Sequence, residues 1–281
     1  MTRHYDHLGV YSDWVTLARG PRTRTIRPTA DSVRRLVHDV LDVPNPAPGG
    51  GGQDDERPAD VRVERRWDAD GLAGEELSYS VGYGPRTRAW LLKPADVAGP
   101  LPGMLALHGH DGFKYYGKEK IADGPGPIPS GSTALRASHY DGRAFANDLA
   151  RAGFVVLVHD VFGWGSRRFP LSEMPPLLRQ LAQLSAGTTP PDPIGSPLPI
   201  KVACYNAAGW HHEHLLEKYC ALLGTTLAAV IAHEDRIALN YLRGRPDTTS
   251  HTGSVGLSGG GSAPPCSGPP ASTSPPPSWS A

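Results

Sequence analysis

The sequence predicts an α/β protein whose sheet is mostly parallel and opens with antiparallel strands. Two short unbroken apolar runs, Met104-Leu-Ala-Leu107 and Phe154-Val-Val-Leu-Val158, read as strands covered on both faces, as parallel strands are. A stretch with helical period separates them, which gives the strand–loop–helix–strand unit of a parallel sheet. Ahead of them, alternating runs divided by Gly-containing turns read as antiparallel strands at one edge.

In chain order, residues 1–30 are polar and lack a period. Asp31 or Ser32 then caps a helix whose apolar positions Val33, Leu36, Val37, Val40 and Leu41 share one face, and Pro44 and Pro46 end it. Residues 1–48 are therefore expected to form a helical extension. The glycine run after Pro48 makes 49–60 a linker or loop. A phosphate-cradling reading of that run fails, because Asp54-Asp55-Glu56 follows where a Lys is needed and would repel phosphate.

Three strand signals lie in residues 61–94: one starting at Val61, one over Leu77-Ser-Tyr79-Ser-Val81, and one over Arg88-Ala-Trp90-Leu-Leu-Lys-Pro94, with Gly71, Gly82 and Gly84 at the turns. The strand at 104–107 ends in His108-Gly-His-Asp-Gly112 and is followed by a long polar loop to about Tyr140. A helix from about Gly142 presents Phe145, Leu149 and Ala152 on one face, and Gly153 closes it before the strand at 154–158. Residues 163–210 read as an irregular, Pro-containing insertion of the kind used for lids and binding walls. One long helix is expected from about His212 to Leu242, with Gly224 weakening it and Arg245-Pro-Asp247 stopping it. His251-Thr-Gly-Ser-Val-Gly-Leu257 is the last strand. Residues 262–281 are rich in Pro, Ser and Ala, hold no charged residue and no His, and read as a disordered tail.

Composition narrows the function. Among 281 residues, 28 are basic and 28 acidic, so no net charge favours nucleic acid. Three cysteines without a Cys-x-x-Cys spacing argue against a zinc ribbon or disulfide framework. The first residues lack the apolar core of a secretory signal, and no segment has the length and apolarity of a membrane span. A cytoplasmic protein, without membrane or nucleic-acid partners, is the expectation.

Gly256-Leu-Ser258-Gly-Gly260 carries the chemistry. A Gly-x-Ser-x-Gly motif at the end of a strand turns the chain so sharply that the serine hydroxyl stands clear of the sheet. Taken with Leu105-Ala-Leu-His108-Gly109-His110, Val158-His-Asp160 with Gly163-x-Gly165, and His233-Glu-Asp-Arg236 with Leu239-x-Tyr241-Leu242, it resembles the α/β-hydrolases. Within them it is most similar to the dienelactone hydrolases and acetylxylan-esterase-like bacterial esterases. The resemblance covers residues 61–261, read as a partial α/β-hydrolase domain. It implies a metal-free, cofactor-free serine esterase acting on a small-molecule ester. Ser258 would be the nucleophile, and the backbone N–H groups of His110 and Gly259 the oxyanion hole. The family places its triad acid and His after the nucleophile, and residues 262–281 contain neither. The C-terminal half of the fold is thus expected to be missing, through truncation or a shifted reading frame.

The readings that stay open are a serine ester hydrolase by ancestry, a non-catalytic remnant lacking the triad acid and His, and a binder of small acyl compounds. His108 and His110 read as loop-shaping residues rather than bases. His211-His-Glu-His214 reads as a solvated helix start, since the spacing fails the His-Glu-x-x-His test for zinc. Asp160 either orients the adjoining loop or is a plain turn residue. Lys118, Glu119 and Lys120 read as solvated. Trp164, Phe169 and Trp210 are candidates for pocket walls or for core packing.

Overall fold

The computed structural model describes residues 29–40, 57–129, 131–186 and 198–259. The chain divides into two units, Met1–Leu36 and Val37–Ala281, and the sheet lies in the second. Helix α1 spans Ala30–Val40. Its cap is Thr29 rather than Asp31 or Ser32: Thr29 Oγ1 accepts the Ser32 N–H at 3.2 Å. Asp31 sits in the first turn, where a carboxylate suits the positive end of the helix dipole. Most of the expected 1–48 extension and 49–60 linker, and the whole 262–281 tail, lie outside the described residues.

Six strands form one sheet: β1 (Ala59–Ala69), β2 (Leu72–Ser80), β3 (Thr87–Pro94), β4 (Leu101–Leu107), β5 (Val155–His159) and β6 (Thr248–Gly256), in the spatial order β1-β2-β3-β5-β4-β6. β1, β2, β3 and β5 pair antiparallel in turn; β5, β4 and β6 pair parallel. β1 is longer than the alternation from Val61 suggested. It joins β2 through the two-residue turn Asp70-Gly71, with φ of 49° and 74°. Two successive positive φ values make the hairpin turn whose twist matches its strands, and Asp-Gly is a sequence that accepts them.

The two apolar runs are continuous because both faces of the sheet are covered. Leu105, Leu107, Val155 and Leu157 face one core, with Leu77, Leu91, Ile237, Ala238 and Leu242. Ala106, Val156 and Val158 face the other, with Leu92, Ala146 and Ala150. Helix α3 (Phe145–Arg151) thus covers one face and α6 (Leu227–Arg243) the other.

Three expectations about the helices are corrected. The polar loop before Tyr140 contains α2 (Ser132–His139). The insertion at 163–210 contains α4 (Pro176–Ala186), with Pro176 at the first helical position, where the missing N–H is harmless. It also contains the start of α5 (Ile200–Leu222). The single helix to Leu242 is two, α5 and α6, bent by 88° to one another. The break falls at Gly224, whose φ of 77° a helix cannot hold. Thr226 restarts the chain as the cap of α6, its hydroxyl accepting the Ala229 N–H at 3.0 Å. No single helix among the described residues is long and apolar enough to cross a membrane.

Candidate active site

β4 and β6 run parallel as neighbours, with Leu107 opposite Gly256. Their loops therefore leave the same end of the sheet side by side. His110 and Gly259 each lie three residues past that last pair, and they meet. A Cβ on Gly259 would stand 3.2 Å from the His110 backbone nitrogen, so a side chain there would crowd the peptide. Between β6 and Gly259 stands Ser258, exposed and held at φ 57°. Serine seldom adopts the left-handed region, and this is the backbone state a strand-to-helix elbow imposes. Among the described residues, no hydrogen bond engages the His110 N–H.

The imidazole of His110 is fully committed. Its Nδ1 accepts the Gly112 N–H at 3.0 Å, which leaves the proton on Nε2, and Nε2 meets the Glu213 carboxylate at 3.0 Å. With both nitrogens hydrogen-bonded, the ring ties its own loop to α5. Glu213, on α5, also pairs with the Lys114 ammonium. Burial pushes the Glu213 pKa up, but His110 and Lys114 outweigh it and hold it at about 2. Lys114 in turn lies over the Trp164 ring, 3.4 Å from its centroid.

A cavity of about 240 Å³ opens here, lined by His110, Trp164, Glu213, Glu217, Ile231 and Gly259 among others. Trp164 is thus a wall of this cavity. Trp210, half-exposed, packs edge-on against His110 at 5.7 Å. Phe169 lies elsewhere, against His212 and in a separate hollow with Tyr83 and Phe162. His212, Glu213 and His214 take different partners, and no cluster suited to a metal ion occurs among the described residues.

The lysines are the largest correction to the solvated reading. Lys118 and Lys120 are buried, as is Lys114. Lys118 Nζ reaches Asp160 at 3.0 Å and Glu119 at 2.8 Å. Asp160, fully buried, also accepts the N–H groups of Lys118 and Ser166 at 2.8 and 2.9 Å, so it orients both adjoining loops. Burial alone would raise its pKa; the Lys118 ammonium and these donors outweigh that and bring it to about 2. Arg136 closes the loop from below, donating to the carbonyls of Glu119, Lys120 and Ala122 and to the Asp123 carboxylate. Sequence alone offered one signal for this: three lysines within the ten residues that follow His108-Gly-His110.

A solved structure described as "a putative acetyl xylan esterase (BF1801) from Bacteroides fragilis NCTC 9343" superposes on 91% of this chain and 56% of its own, with TM-score 0.58 and 16% identity. The fold is that of the α/β-hydrolases. Acetyl xylan esterase 1 from Thermoanaerobacterium sp. JW/SL YS485 aligns over 82% of this chain and 51% of its own, at 14% identity and TM-score 0.42. In sequence, the "Putative hydrolase YtaP" of Bacillus subtilis (strain 168) is 27% identical over 114 residues, 41% of this chain and 34% of that protein. No family model matches the chain. The chain thus spans about half the length of these solved structures and a third of the curated relative.

Proposed function

We propose that this chain carries the nucleophile and oxyanion hole of a serine carboxylic-ester hydrolase acting on small-molecule esters. Ser258 Oγ attacks the ester carbonyl, and the N–H groups of His110 and Gly259 receive the negative oxygen. The observation that carries the reading is the left-handed Ser258 at the end of β6, with Gly259 against the His110 nitrogen. Each such donor is worth roughly 3–4 kcal/mol of transition-state stabilisation. The relatives named as hydrolase and esterases support the substrate class.

A second reading, a non-catalytic chain, is favoured by one observation. Two histidines paired with carboxylates among the described residues are unsuited to serve Ser258. His110 has both nitrogens engaged, and His159 is buried against Asp235. Without a base, acylation is slow and deacylation slower. The experiment is incubation of the 281-residue chain with 4-nitrophenyl acetate and peptide mass spectrometry. Acetylation concentrated on Ser258, without sustained turnover, is the expected result. Acetylation of Ser258 no faster than of the exposed Ser254 would overturn the nucleophile assignment. Sustained turnover lost in Ser258→Ala would exclude the non-catalytic reading.

A further inference from the structure

We infer that Lys120 is a positioning residue for the oxyanion hole: its ammonium grips the Gly109 carbonyl and so aims the His110 N–H toward Gly259 and the reacting oxygen. This rests on the role proposed for His110.

The argument begins with the peptide bond. Gly109 C=O and His110 N–H belong to one planar, trans unit, so they point in opposite directions. Whatever fixes the carbonyl fixes the N–H. Lys120 Nζ donates to Gly109 O at close range and lies 3.4 Å from His110 O. Trp164 Nε1 holds the same His110 carbonyl from another side, at 3.4 Å. Lys120 is itself anchored by Asp111, whose carboxylate stands 3.1 Å from Nζ. Tyr140 completes the clamp. Its hydroxyl accepts the Gly109 N–H at 3.0 Å and donates to Asp111 at 3.1 Å. The Gly109 N–H is thus consumed, and the His110 N–H is the donor left over. Position 109 must be glycine for the clamp to close, since a Cβ there would stand 2.6 Å from Asp111 Oδ1 and 2.9 Å from the Tyr140 oxygen.

An ammonium on the carbonyl does more than orient. It draws electron density through the amide and makes the N–H a stronger donor to a developing oxyanion. This half of the effect needs the charge. Around Lys120, the Asp111 and Asp160 carboxylates favour the charged form; burial and the Lys114 ammonium disfavour it, with neutral His108 and the Arg136 guanidinium nearby. Burial prevails and brings its pKa to about 8.

The experiment measures Ser258 acetylation by 4-nitrophenyl acetate over a range of ester concentrations, which separates ester affinity from the maximal acylation rate. Lys120→Met is expected to lower the maximal rate roughly 10- to 100-fold, the scale of a misaimed or weakened donor, with affinity little changed. Lys120→Arg, which keeps a charge and donors, is expected to recover part of the loss. The wild-type rate is expected to fall above about pH 8, and this fall to vanish in Lys120→Arg. Tyr140→Phe serves if Lys120→Met fails to fold, and is expected to lower the maximal rate in the same way. A wild-type maximal rate in folded Lys120→Met or in Tyr140→Phe would overturn the clamp while leaving Ser258 as the nucleophile. Absence of Ser258 acetylation in the wild type would overturn both.

Discussion

Nε2 of His159 and Oδ1 of Asp235 stand 2.9 Å apart inside the core, one from the last residue of β5 and the other from α6. The residue types are those of a catalytic dyad, but the His159 side chain is only 1% accessible. The pair fastens α6 to the sheet. Asp235→Ala removes the acceptor and strands a buried ring nitrogen, so unfolding free energy is expected to drop by about 1–3 kcal/mol. Asp235→Asn keeps an acceptor and is expected to lose less. Urea denaturation of the two variants decides this.

Arg167 and Glu234 form a second buried pair, at 2.6 Å, with side chains 1% and 0% accessible. Tyr83 donates to the same carboxylate at 2.9 Å. Removing one charge leaves the other unpaired in the interior, so Glu234→Ala is expected to be destabilised by about 3–5 kcal/mol. Replacing both, as Arg167→Met with Glu234→Leu, is expected to recover much of that loss. The two melting curves test whether the pair or its geometry matters.

Stability is expected to fall in acid. Glu213 and Asp160 have folded pKa values of about 2, below the ordinary 4.5 and 3.8. A depressed carboxylate stabilises the fold above its unfolded pKa, and the contribution is lost as pH drops through the folded one. The window is therefore about pH 4.5 down to 2. Glu213→Gln is expected to flatten this limb of a Tm-against-pH curve. Lys120 acts at the other end: its pKa is lowered from 10.5 to about 8, so the unfolded chain binds more protons between those values. Its contribution rises with pH across that interval, and Lys120→Met is expected to remove the rise.

β6 is the last strand in the sheet among the described residues, and Val255 within it and Leu257 just past it are 37% and 49% exposed. A sheet edge that carries exposed apolar side chains is a template for pairing with another chain. Self-association that grows with concentration is expected in size-exclusion chromatography, and Val255→Lys is expected to reduce it. A sharp monomer peak at all concentrations would contradict this.

The sheet was legible because its signals are local. Period-2 runs, unbroken apolar runs and the turn glycine Gly71 each speak for themselves, and parallel pairing of β4 with β6 then brings His110 to Gly259. What could not be read depends on partners far along the chain. Lys118 and Lys120 look solvated in sequence, since nothing local reveals that Asp160, 42 positions from Lys118, will meet it in the core. The bend at Gly224 was visible only as lost helix propensity; its positive φ is a consequence of where α6 must lie. Pro176 was a helix start read as a loop residue.

Arg136 shows how differently the two halves of this architecture respond to change. Apolar cores accept many combinations of similar volume. The loop beneath His110 has no such redundancy: one guanidinium answers three carbonyls and a carboxylate, and no other side chain has that shape. In a mutational library, the strands are therefore the part free to drift, and the loop is the part that resists. Distant kin of this chain would be recognised by the path of the backbone and a handful of loop positions, long after the sheet had lost every trace of shared spelling.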